Sequence, residues 1–266
     1  MTDISSELLA HCALDGEVGS KILSVIHKEF EEADGRSPWY LLWREHSSRY
    51  FDLAEADRLL VTAGLPATRY EGGTLYIAQT YASCVLEGLA AELGDYSEFD
   101  RPCRFGWLAG SLPYREAFAA LRSRLSYLRD SDAFDLSALL GTTFQNIFPS
   151  DVRHLLGEYY TPEWVVDDAA SILREKALIL PEKVSRLFDP AAGSGGFAVR
   201  LLKWIGDCSA PPVEVFLSDV SPIAKRFSEL NGAIYNKFAR VRGLRPIILQ
   251  TKLADTICDP VIKSKM

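Results

Sequence analysis

Phe188-Asp-Pro-Ala-Ala-Gly-Ser-Gly-Gly-Phe-Ala198 reads as the end of a short apolar strand that breaks into a glycine-rich turn and opens a helix. Leu187 and Phe188 close the strand, and Asp189 stands on its carboxyl edge. Gly193 and Gly195 allow a tight turn and let a ligand approach the backbone with no Cβ in the way. The spacing of Gly193, Gly195 and Ala198 follows the loose pattern G-x-G-x-x-G/A, whose last small residue packs the helix onto the strand. Alone, that pattern suits a turn in any α/β domain as well as a ligand loop.

The chain around it decides between the two. Strand patterns at 184–189, 213–219 and 247–254 alternate with helical patterns at 196–205 and 222–240. This β-α-β-α-β run predicts a parallel sheet with right-handed crossovers and a ligand site at the carboxyl ends of its strands. Each strand leads to an aspartate: Asp189, Asp219 and Asp255. A carboxylate at the first strand tip repels a pyrophosphate and suits an ammonium. Asp219, 24 residues after Gly195, is placed to accept the hydroxyls of a ribose. A ligand with an ammonium, a carboxylate and a ribose fits S-adenosylmethionine better than NAD.

Upstream, helical spacing covers 3–33, interrupted by Gly16 and Gly19, and recurs at 51–63, 75–93, 115–129 and 135–148. Residues 99–114, with two prolines and two glycines, read as an irregular connection. The aromatic group Trp39, Tyr40, Trp43, Tyr50 and Phe51 reads as core. No strand pattern longer than a few residues precedes position 180, so residues 1–149 form a helical domain and 150–266 a second, α/β domain. Within 148–162, Gly157 to Tyr160 reads as an exposed loop. Thr161 and Pro162 then cap and start a helix to about 176, with Val165, Ala169, Ile172 and Leu173 on its inner face.

Composition bounds the remaining classes. At 266 residues and 48% hydrophobic content the chain can bury two cores, and it holds no apolar run of membrane-spanning length. With acids and no basic run at its start, it reads as cytoplasmic. The cysteines at 12, 84, 103, 208 and 258 and the histidines at 11, 27, 46 and 154 form no CxxC or metal-ligand spacing, so neither metal nor disulfides are expected. Residues 1–150 carry 22 acids against 13 Lys/Arg, whereas 151–266 carry 14 against 16, so a polyanion is repelled by the first part and tolerated by the second. Lys225, Arg226, Lys237, Arg240, Arg242 and Arg245 are the one basic concentration, read as a solvated helix face or a phosphate-contacting patch.

Together these residues resemble the amino-type DNA methyltransferases, in particular the adenine-N6 enzymes of type I modification subunits and fused restriction-modification proteins. Gly157-Glu-Tyr-Tyr-Thr-Pro162 is similar to that family's motif X, and Asp189-Pro-Ala-Ala-Gly-Ser-Gly-Gly-Phe197 to motif I. Ser218-Asp-Val-Ser-Pro222 is similar to motif II and Asp255 to motif III. The resemblance covers 150–258. It implies a helical N-terminal domain followed by the first half of a Rossmann-like, S-adenosylmethionine-dependent methyltransferase sheet. It further implies that Tyr160, Thr161 and Pro162 lie over the methionine end of the cofactor and that Asp189 serves its ammonium. Ala191, Gly193, Gly195 and Phe197 form the loop, Asp219 holds the ribose, Val220 and Pro222 press on the adenine, and Asp255 accepts from the adenine amino group.

The family's catalytic motif IV, Asn/Asp/Ser-Pro-Pro-Tyr/Phe, has no counterpart: the only Pro-Pro pair, Pro211-Pro212, stands in Ala-Pro-Pro-Val ahead of the second strand. No catalytic residue is therefore assigned, and no methyl transfer is expected from this chain alone. Three strands of the family's seven leave the outer edge of the first open to a partner strand, a second copy, or further chain of which this is a fragment. DNA would be engaged through the full-length protein or a partner subunit. Two other readings stand beside this one: a non-catalytic subunit whose helical domain docks a partner protein, and a nucleotide-dependent oxidoreductase using the glycine loop.

Overall fold

The computed structural model describes residues 17–93, 115–116, 119–120, 122–123, 147–159, 161–176, 180–206 and 211–256. The expected features at 3–16, 99–114 and 124–129, most of 135–148, and Tyr160 lie outside them. The chain divides into two compact units, which meet in sequence between Glu158 and Tyr159.

The first unit is helical. It comprises α1 (Glu17–Glu32), α2 (Pro38–Ser47), α3 (Leu53–Thr62), α4 (Gly73–Leu93) and α5 (Ser150–Leu156). The centre is α4, whose residues from Leu75 to Leu86 are buried, with α1 and α3 packed on it and α5 on α3. Asp57 of α3 caps α4 from outside, accepting the N–H groups of Gly72 at 2.7 Å and Leu75 at 2.9 Å, donors that the first turn of a helix cannot satisfy within itself. Inside, the Trp43 indole N–H donates to Gln79 Oε1 at 2.8 Å, and Phe30 meets Tyr40 edge-on at 5.1 Å.

Trp39, Tyr40 and Trp43 of the aromatic stretch lie on a helix, α2, which periodicity misses because large apolar residues occupy both of its sides, and Tyr50 and Phe51 follow in the turn after it. Tyr40, Trp43 and Phe51 are core as expected, but Trp39 and Tyr50 are 40% and 38% exposed. Gly157, at φ +68°, ends α5, with its N–H on the His154 carbonyl and that of Glu158 on the Arg153 carbonyl. That closure draws Glu158 inward to 8% exposure, so the expected exposed loop is exposed at Gly157 and Tyr159 but not at Glu158.

The second unit contains α6 (Glu163–Glu175), a 3₁₀ turn (Pro181–Lys183), β1 (Arg186–Asp189), α7 (Gly196–Ile205), β2 (Val213–Asp219), α8 (Pro222–Arg242) and β3 (Ile247–Leu253). The sheet is parallel in the order β1-β2-β3, with Leu187 opposite Val215 and Val213 opposite Ile247. One face carries Leu187, Val213, Val215, Leu217 and Ile247, packed into a single core with Ala198, Val199, Leu202 and Ile205 of α7 and Tyr235 and Ala239 of α8. Side chains alternate along a strand, so the opposite face holds Phe188, Phe216 and Ile248, of which Phe188 and Ile248 are 41% and 51% exposed.

Strand and helix bounds follow the expected ones to within two residues, but α6 is turned by one residue. Val166 and Ala170 are its buried positions and Ile172 is 52% exposed, because Asp167 faces α7, where it pairs with Arg200 and Trp204. Pro162, expected as the first helical residue, is the cap: its carbonyl accepts from Val165 and Val166.

Candidate functional site

Asp189 and Asp219 end β1 and β2, and the loop 190–195 passes between them into α7. The Ala191 N–H donates to Asp189 Oδ1 at 3.2 Å, Ala192 to the Ser218 carbonyl at 3.0 Å, and Gly193 to Asp219 Oδ2 at 2.8 Å. Asp219 Oδ1 accepts the Ser221 N–H at 2.8 Å, so a single carboxylate ties the glycine loop to the turn that starts α8. Gly193 and Gly195 have φ of +53° and +76°, a region that side chains with a Cβ resist. At Gly195 a Cβ would also stand 3.1 Å from Ser228 Cβ and 3.2 Å from Ser228 Cα. The third glycine-pattern position, Ala198, is buried against the sheet.

β3 is joined to the same edge. It ends at Leu253, one residue earlier than expected, and Asp255 lies two residues beyond. The Ala254 N–H donates to the Asp219 carbonyl at 2.9 Å, and Thr256 Oγ1 lies 3.0 Å from both the Pro190 carbonyl and the Ser218 hydroxyl, with one proton to share between them. Residues on both sides of Asp255 are therefore bonded to the tips of β1 and β2.

The edge is electronegative. Burial pushes the Asp189 carboxyl above the ordinary carboxylate range; the Ala191 N–H partly offsets this, and the nearby Asp219 charge adds to it. Burial likewise raises Asp219, opposed by the N–H groups of Ser221, Gly193 and Val220. Two carboxylates that are costly to ionise side by side suit a cationic ligand, which relieves both, and oppose a pyrophosphate, which would add to the cost. Three N–H groups on a carboxylate with about four lone-pair sites leave Asp219 capacity to accept from a hydroxyl group.

Of the expected site residues, the structure brings together Asp189, Ala191, Gly193, Gly195, Asp219, Val220 and Asp255. Phe197 is 38% exposed in the first turn of α7, and Pro222 is half-buried in the first turn of α8. Thr161 and Pro162 are exposed before α6 and do not share in that set of bonds. Their connection to the loop is between helices: Arg200 of α7 donates from Nε and Nη2 to Asp167 of α6, at 2.7 and 2.5 Å, and Trp204 Nε1 adds a third bond at 3.2 Å. Held mainly by Arg200, the Asp167 carboxyl is lowered to about 2.

The basic concentration is largely engaged within the unit. Lys225 and Arg226 pair with Glu229, and Arg245 is 3% exposed and donates to the Pro211 carbonyl. Arg242 lies 5.1 Å from the Phe238 ring and, like Arg240, is exposed. Among the described residues no helix is long and apolar enough to cross a membrane, and no three His, Cys, Asp or Glu are grouped to hold a metal ion.

Sequence reasoning missed Asp167, Arg200 and Asn231. Asn231, fully buried on α8, donates from Nδ2 to the Ser194 carbonyl at 2.6 Å. Its signal was present: an amide in mid-helix among Phe227, Leu230 and Ile234 is a poor helix former that needs a partner.

Residues 144–259 match the N-6 DNA Methylase family, a span that takes in Thr161-Pro162, the glycine loop, Asp219 and Asp255. No curated protein and no solved structure matches the chain. The match bears out the resemblance to adenine-N6 DNA methyltransferases and supports DNA N6-methyltransferase function in broad terms.

Proposed function

With residues 144–259 matching the N-6 DNA Methylase family, we propose that the chain is the S-adenosylmethionine-holding part of an adenine-N6 DNA methyltransferase of a restriction-modification or related defence system. The observation that carries this reading is the bridging of Gly193 and Ser221 by the Asp219 carboxylate beside a second half-buried acid, Asp189. Such an edge is complementary to a ligand with a positive charge and vicinal hydroxyls. Asp189 serves the ammonium, and Asp219 the ribose hydroxyls. Val220 and Pro222 flank the adenine ring, Asp255 accepts from its amino group, and Tyr160, Thr161 and Pro162 lie toward the methionine end. The cofactor, when bound, supplies an electrophilic methyl on sulfonium.

The acceptor side is not encoded in these 266 residues, which contain no Asn-Pro-Pro-Tyr or near variant. An exocyclic adenine nitrogen is a weak nucleophile because its lone pair is delocalised into the ring. Acceptors for its protons, and a stacking surface for a base taken out of the duplex, must come from elsewhere. Among the described strands β1 pairs only with β2, and the sheet face bearing Phe188, Phe216 and Ile248 is open. That edge and face are where a segment or partner subunit with the missing motif joins. The Rossmann-like arrangement is then completed across the two parts.

Equilibrium dialysis with S-adenosylmethionine, NADH and ATP tests the reading: saturable uptake of the first alone is expected. Preferential uptake of NADH would turn it toward an oxidoreductase.

A further inference from the structure

We propose that Asn231 is a positioning residue of the glycine loop, clamping the Ser194–Gly195 peptide in the orientation the cofactor site needs; this rests on reading that loop as the S-adenosylmethionine site. The peptide is planar, so its carbonyl and N–H turn together. Here both ends are held: the Ser194 carbonyl accepts from Asn231 Nδ2 at 2.6 Å, and the Gly195 N–H donates to the Ala192 carbonyl at 2.7 Å. The peptide joins Ser194 to Gly195, whose φ of +76° lies in the left-handed region, and a glycine at one end lowers the cost of its rotation. A loop built this way needs a fixed point outside itself. Asn231 and Ser228, three residues apart on one face of α8, provide it, the second by contact under Gly195.

Asn231 has no other described task. Its Oδ1 has no hydrogen-bond partner among the described residues, so the contact with Ser194 is what the carboxamide contributes. Within the loop, Ala191, Ala192 and Gly193 commit their N–H groups to the strand tips, whereas the Ser194 carbonyl is bound from α8. Removing the amide therefore leaves the Ser194–Gly195 peptide held only from within the loop, by the Gly195 N–H on the Ala192 carbonyl.

The same helix carries its own control. Asn236 donates to the Ile247 carbonyl at 3.1 Å and accepts the Ile247 N–H at 2.9 Å, gripping β3 where it begins, at the opposite edge of the sheet. It is the same residue type on the same helix, also bonded to backbone, but away from the loop.

The test compares Asn231→Ala, Asn231→Leu and Asn236→Ala in the full chain by calorimetric titration with S-adenosylmethionine, hydrogen exchange of peptides covering 190–198, and thermal melting. Leucine keeps the packing volume and removes only the polar contact, so it serves if the alanine variant does not fold. Both Asn231 variants are expected to lose about tenfold or more in affinity and to exchange the loop amides about tenfold faster. Asn236→Ala should melt earlier yet keep wild-type affinity and loop protection. Asn231 variants with affinity and exchange within about twofold of wild type would overturn the proposal, as would an equal loss in Asn236→Ala. Wild type that takes up no S-adenosylmethionine sinks the cofactor reading instead, and the exchange comparison still judges the clamp.

Discussion

At the scale of single residues, Asp189 and Asp219 are the acids of the proposed cofactor site, and burial disfavours the ionised form of each. Both carboxyls are raised, first by burial, so in the free protein their ionisation opposes folding. For an acid whose folded pKa exceeds its unfolded value, stability falls as pH rises through the interval between the two. Asp189→Asn is expected to raise the melting temperature of the free protein at pH 7 while weakening S-adenosylmethionine binding, a stability-for-function exchange that melting curves and titration read separately. A lower melting temperature would show that Asp189 is a structural acid. The sign for the ligand is opposite. A cation favours the ionised acids, so affinity should fall as pH drops from 7 into the range just above the ordinary carboxylate value of 3.8. Affinity that stays flat or rises on acidification would exclude these two acids as the cation's partners.

Elements are coupled by few and specific bonds. Asp167 of α6 takes three donors from α7, and its lowered carboxyl means that this tie is intact above about pH 4 and is lost as pH falls toward 2. The contact is bidentate, so Arg200→Lys should destabilise the protein nearly as much as Asp167→Asn, by about 1–2 kcal/mol for this partly exposed pair, measured by urea unfolding. A lysine variant of wild-type stability would reduce the tie to charge attraction. At the loop, Gly195→Ala combines a left-handed φ with a Cβ 3.1–3.2 Å from Ser228, and should cost about 2–4 kcal/mol and the cofactor site with it. Much of this level was legible in the sequence. The glycine spacing, the strand-end aspartates and the alternating pattern located the loop and the three strands, because strand tips and left-handed turns each demand particular residue types. The rotation of α6 was not legible, since Val165 and Val166 are both apolar and only the partner across the gap, Arg200, decides which turns inward. Helix α2 was hidden for a related reason: with Trp39, Leu41 and Leu42 exposed while Tyr40 and Trp43 are buried, its apolar residues do not mark a single side.

At the scale of the molecule, the two compact units have separate cores and different charge, with the acidic excess in the first 150 residues and a small basic excess after them. A ligand that binds only the native second unit stabilises that unit by mass action. Hydrogen exchange with saturating S-adenosylmethionine should therefore show new protection in 186–256 and little change in 17–93. Protection concentrated in the first unit would place the ligand elsewhere. Methyl transfer to DNA is expected only when a polypeptide bearing the Asn-Pro-Pro-Tyr motif is supplied. The central claim is that the aspartate-lined edge of the sheet holds the methyl donor, and it is tested most directly by calorimetric titration of S-adenosylmethionine into wild type and Asp219→Ala. Saturable one-site binding by wild type and its loss, by about a hundredfold, in Asp219→Ala is the predicted result. No heat from wild type at millimolar ligand, or equal affinity in the two proteins, would contradict it.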